Sequence, residues 1–165
     1  MTKAAAPHGD SLNLDAFFGD AARALLLLVS AFPRPVILQV DDIYRVEETD
    51  EFGMHSERYL ACFAALQWLA EEGYLRYEET IRSEAIDQAR LSARCFVLLT
   101  RPRPALSDTG LPATLALEQS SVASELRAGL AERSSAAVRR TMLTLMATMS
   151  GLADDAPPNE DCGQA

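Results

Sequence analysis

Few residues in this chain could do chemistry. It holds two histidines, three cysteines and a scatter of carboxylates. His8 lies in a polar lead. His55 adjoins Ser56, the one meeting of an imidazole with a hydroxyl, and that position reads as a helix-capping turn with an exposed ring rather than a nucleophile and its base. The carboxylate pairs Asp41–Asp42 and Glu71–Glu72 are adjacent in sequence. On a helix their side chains diverge by about 100°, so neither pair faces a common substrate. Asp154–Asp155 sits in a polar tail that holds no geometry. Cys62 and Cys95 lie within apolar segments and Cys162 lies in the tail. An odd number without short spacing predicts free thiols in a reducing cytoplasm, neither a disulfide framework nor a zinc site. No glycine-rich phosphate loop, metal-ligand cluster or nucleophile elbow is present in the sequence. The chain therefore reads as non-enzymatic, with no cofactor and no metal, and its chemistry as that of binding.

Charge decides what it could bind. The net charge is −9. Residues 41–58 hold seven acidic and two basic residues, so more than half of the excess falls in that one stretch. Residues 101–150 lean positive, and the last fifteen residues are acidic. No apolar run approaches the length of a membrane span. The opening MTKAAAPHGDSLN has one lysine and no apolar stretch before Leu14, so no secretory signal is expected.

The elements that must position these residues follow from periodicity. Residues 1–12 read as a disordered lead. Leu14, Phe18, Ala21, Leu25, Leu28 and Phe32 recur at helical steps, with Asn13 as the expected cap and Pro33 and Pro35 as the stop. Val36–Val40 is β-branched and predicts a strand. DDIYR (41–45) predicts a short helix, and residues 46–55 an acidic loop. Ser56 is an N-cap for a helix to about Glu72, with Tyr59, Cys62, Phe63, Leu66, Leu69 and Ala70 inward and Gly73 as the stop. YLRYEETI (74–81) alternates as a half-exposed strand, followed by a turn and a possible return strand. Ser92 is expected to cap a short helix with Phe96 and Leu99 inward, a strand at 95–99 being the alternative. Residues 101–114 form a proline-rich linker. Helices follow within 115–131, where Val122, Leu126 and Leu130 share a face, and within 135–150. The tail, 151–165, is expected to be disordered.

This order, with WLAEEGYLRYE (68–78) and LSARCFVLL (91–99) as its signature segments, resembles a winged helix-turn-helix domain. The expected fold is thus mainly α with a small β-hairpin wing over residues 13–100, followed by a C-terminal helical hairpin at 115–150. The resemblance implies a recognition helix at 56–72 and a wing after it. One departure stands out: the gap between DDIYR and Ser56 is about ten residues, where the motif uses about three or four, and it is rich in Glu47, Glu48, Asp50 and Glu51.

The resemblance raises two functions. As a DNA-binding regulator, the domain would use Arg58 and Gln67 in the groove and Arg76 and Arg82 on the wing. The acidic loop would then face phosphates that binding must neutralise. As a protein-interaction or scaffold module, it would present Arg58, Ala61, Ala65 and Trp68 as an exposed strip, with Trp68 as core the competing reading. In architecture and charge it is similar to acidic winged-helix subunits of bacterial condensins, which bind protein partners. Val138, Met142, Leu145 and Met149 have heptad spacing and could form a homodimer seam, or pack within the chain. The sign of the charge favours the protein partner.

Overall fold

The computed structural model describes residues 9–44, 55–102 and 121–151. The predicted acidic loop, the linker and the acidic tail fall almost wholly outside these residues, as do residues 115–120 of the expected helix at 115–131. The protein is mainly helical, with a small antiparallel sheet of four strands.

Helix α1 spans Gly9–Ala31. It begins before the expected cap, so Asn13 lies inside it and part of the expected lead is helical. The middle of its predicted stripe is buried: Phe18, Ala21, Leu25 and Leu28 enter the core together with Ala22 and Ala24, while Leu14 and Phe32 at the two ends are exposed. Small residues at three of these positions let neighbouring elements approach α1 from several sides. It packs against α3 (Glu57–Glu71) on one side and against α5 (Val122–Ala131) and α6 (Ser135–Met149) on another.

Strand β1 (Val36–Gln39) leads directly into α2 (Val40–Ile43), with Asp41 and Asp42 in its first turn, where the helix dipole favours them. The cap at Ser56 is as expected: the Tyr59 N–H donates to Ser56 Oγ at 3.2 Å. Gly73, at φ +76°, ends α3 where a side chain would be strained.

The expected strand at 74–81 is broken. β2 is Leu75–Arg76 and β3 is Glu79–Ile81. Both pair with β4 (Ala85–Leu91), whose other edge pairs with β1, so the last strand in sequence is the central one. Ile86 is flanked by Leu38 on one side and Thr80 on the other. The register with β1 slips between Val36 and Leu38, opposite Gln88, which sits at φ +54°; the extra residue is a bulge. The Gln88 N–H donates to Asp87 Oδ1 at 2.8 Å and holds it. Beyond the bulge, alternation resumes with Ala89 and Leu91 buried and Arg90 exposed.

Residues 93–100 are helix α4 (Ala93–Thr100), which resolves the helix-or-strand ambiguity: Ser92 Oγ accepts from the Cys95 N–H, and Cys95 and Leu99 are buried. Phe96 is only half-buried and stacks on Phe32 with ring centroids 3.9 Å apart. Pro102 bridges to Ser121, which caps α5.

The expected dimer seam requires correction. Val138, Met142, Leu145 and Met149 all lie in the intrachain core, and Met142 is 0% exposed. Their spacing reflects packing of α6 on α1, α4 and α5, and no face of this stripe remains for a second copy. Tight approach of α5 and α6 is set at Gly129, where an added Cβ would stand 3.1 Å from Val138 Cγ2. Among the described residues no helix is long and apolar enough to cross a membrane.

Candidate functional site

The most demanding group in the core is a carboxylate. Asp20 sits in the middle of the apolar face of α1 and is 1% exposed. A buried charge at that depth requires a partner. Arg58, in the first turn of α3, supplies it: Nη1 lies 2.6 Å from Asp20 Oδ2 and Nη2 donates to Oδ1 at 2.7 Å. This two-point geometry is the strong form of the arginine–carboxylate pair. Arg23, one turn along α1, stands 3.6 Å from Oδ1. The Arg58 guanidinium also lies over the Tyr44 ring, 4.4 Å from its centroid. The hydrogen bond to Asp20 holds Arg58 above its usual pKa. Burial raises the nearby Cys62 thiol to about 12, so it is not a nucleophile at neutral pH.

This pair corrects one sequence expectation. Arg58 does not point outward to meet a base edge or a partner; it is turned onto α1. Helix α3 otherwise buries the expected apolar face, Tyr59, Cys62, Phe63, Leu66 and Leu69, and Ala65, expected outward, is buried with them. Its exposed residues are Glu57, Leu60, Ala61, Ala64 and Glu71, with Gln67 half-exposed, and none of them is cationic. Arg76 and Arg90 are both exposed and lie directly opposite each other across β2 and β4. Arg82 is well exposed at the hairpin turn, 3.9 Å from Glu84. Three of the four residues expected to contact DNA thus remain at least partly accessible: Gln67 on α3, and Arg76 and Arg82 on the hairpin.

The four residues expected to form a partner surface do come together. Arg58, Ala61, Ala65 and Trp68 line one groove between α1 and α3, with a volume of about 540 Å³. Their roles differ from the expected strip. Ala65 is buried and forms the floor, Ala61 is exposed at the rim, and Arg58 closes one end. Trp68 is half-buried, so it is neither wholly core nor wholly surface. It packs edge-on against Phe17 at 5.2 Å and stacks near Tyr74 at 5.8 Å, leaving part of its ring in the groove. The sequence reading missed the opposite wall, Leu14 and Phe17 of α1, and the exposed Ala64. Leu14 is 45% exposed although it belongs to the predicted apolar stripe, and that excess at the end of the stripe was the available signal.

His55 does not have the expected exposed ring. It stacks on Tyr59 with centroids 4.0 Å apart, and its Nε2 lies 3.5 Å from Glu84. Its Nδ1 is buried without a hydrogen-bond partner among the described residues. Tyr59 is held at a pKa of about 12 by burial and by Asp41. Ser56 spends its hydroxyl on the α3 cap, so His55 and Ser56 do not form a reactive pair. Among the described residues no group of His, Cys, Asp and Glu side chains could hold a metal ion. Comparison with protein-family models, with curated proteins and with solved structures gives no match for this chain.

Proposed function

We propose that the chain is a non-enzymatic winged-helix module of the cytoplasm that binds another protein through the groove between α1 and α3. The element order and the sheet order, with the final strand between the first strand and the hairpin partner, support the winged-helix reading. The single observation that carries the function is the groove itself: a concave, largely apolar surface rimmed by Leu14, Ala61, Ala64 and Trp68, on the helix a winged helix would lay in DNA. That helix exposes glutamates, leucine and alanines, it holds no lysine, and its one arginine, Arg58, is part-buried and turned onto Asp20. A polyanion has no counter-charge there, whereas an apolar side chain of a partner has a site.

The test replaces exposed Ala64 with arginine. Ala64→Arg should leave the melting temperature within a degree or two, since the position faces solvent. It should also abolish retention of specific partner proteins that the wild type holds and that mass spectrometry identifies. Because Trp68 is the single tryptophan, its emission should shift when an identified partner is added and stay fixed in the variant. The competing reading, a DNA-binding regulator, would be upheld instead by a gel shift of duplex DNA that weakens steeply with salt and disappears in Arg82→Glu.

A further inference from the structure

A second cavity adjoins the groove, on the far side of Arg58. Its volume is about 370 Å³, and its walls are α1, Tyr44 after α2, and the turn between α5 and α6. Three guanidiniums line it: Arg23, Arg58 and Arg133. Arg23 and Arg58 approach the same oxygen of Asp20, at 3.6 and 2.7 Å, so their charges are close together and share one counter-ion. Arg133 has no ion-pair partner among the described residues. Asp15 also lines the cavity, and its carboxylate lies 3.9 Å from Arg139, which is outside the lining. Among the described residues, the three lining arginines stand against two carboxylates, Asp15 in the lining and Asp20 behind Arg23 and Arg58. The site therefore carries an excess of positive charge in a chain whose net charge is −9.

Two further features point the same way. Ser134 and Ser135 bring hydroxyls and the start of α6 to the cavity wall, and no acidic residue occupies the first turn of α6. Helices ordinarily place acids there to balance the positive end of the dipole. Arg133 occupies the turn at φ +53°, with the Ser134 N–H bonded back to the Gly129 carbonyl at 2.9 Å. This is the left-handed C′ position of a helix-ending motif that favours glycine. The chain keeps a strained arginine at that position, and its side chain lines the cavity.

We propose that this cavity binds a small oxyanion: a phosphate group, free or esterified on a small molecule. Arg23 and Arg58 present adjacent guanidinium edges, Arg133 closes from the turn, and the serine hydroxyls donate. The volume suits one such group with a modest attached moiety. This assignment is independent of the partner groove, with which it shares only Ala16 and Arg58 as lining residues.

The test titrates orthophosphate and, separately, a nucleoside monophosphate into the full chain by calorimetry at low ionic strength. The wild type should bind saturably in the millimolar range or tighter. Tighter binding of the monophosphate would identify an ester as the fitting form, and equal binding would identify the free ion. Arg133→Gly removes one charged donor and relieves the turn, so it should weaken binding about tenfold or more while leaving thermal stability equal or higher. Arg23→Gln should weaken binding similarly, whereas Ala64→Arg in the neighbouring groove should leave it unchanged. Absence of saturable binding by the wild type, or full binding by Arg133→Gly, would overturn the assignment.

Discussion

Replacing Arg58 with alanine should destabilise the fold far more than loss of a surface charge. The substitution leaves Asp20, 1% exposed, without its two-point partner. Breaking a fully buried pair from one side costs about 3–5 kcal/mol, while a solvent-exposed pair is worth about 0–1 kcal/mol. Arg58 is itself 32% exposed, and Arg23 remains 3.6 Å from the stranded carboxylate. Both facts reduce the loss, and about 2–3 kcal/mol is expected. With a urea slope of about 2 kcal/mol/M for a chain of this size, the midpoint should fall by roughly 1 M. Arg58→Lys restores a charge without the planar fork and should recover only part of this. Arg58→Ala combined with Asp20→Ala should be less destabilising than the sum of the two single changes, because the double variant buries no orphan charge. A loss below about 0.5 kcal/mol for Arg58→Ala would place it in the surface class and refute the reasoning, returning Arg58 to the role of a free contact residue.

Two further outcomes test the core. Met142→Glu and Leu145→Glu each bury a charge in the chain's own interior and should abolish the cooperative thermal transition; a folded monomer formed from a wild-type dimer, seen by light scattering, would contradict the packing. Cys62 and Cys95, both raised to about 12 by burial, should resist thiol reagents near neutral pH until the protein is unfolded. Because these folded-state values lie above the ordinary thiol value of 9.0, their contribution to stability is complete below that value and is lost as pH climbs from near 9 toward 12. Urea midpoints measured across that range should decline, and a flat profile would count against buried thiols.

Local signals were legible in the sequence. Ser56, Ser92 and Gly73 start or stop their elements as their side chains dictate, because capping depends on neighbours three residues away. The apolar periodicity of α1 and α6 was likewise clear, but periodicity specifies a buried face without specifying what covers it. The stripe at Val138, Met142, Leu145 and Met149 fits a second chain and α1 equally well on spacing alone. The turn of Arg58 onto α1 was not legible for a related reason. It depends on a pair between residues 20 and 58, which no local pattern connects. A lone aspartate inside the apolar stripe of α1 was the clue that some distant cation must turn inward. The break between β2 and β3 comes from pairing with β4 and the bulge at Gln88 from pairing of β4 with β1, and the latter depends on contacts distant in sequence. The arginine cavity draws on α1, Tyr44 after α2, α3 and the α5–α6 turn, so only the folded chain assembles it.

The position of α1 bears on how the protein can be divided. It is sandwiched between α3 on one flank and α5 and α6 on the other, so the proline-rich stretch after Pro102 does not separate two autonomous halves. A version ending at residue 102 would bare the side of α1 that Met142 and Leu145 cover. Supplied as two polypeptides, split between residues 102 and 121, the halves should recombine by fragment complementation, each serving as the missing interior of the other.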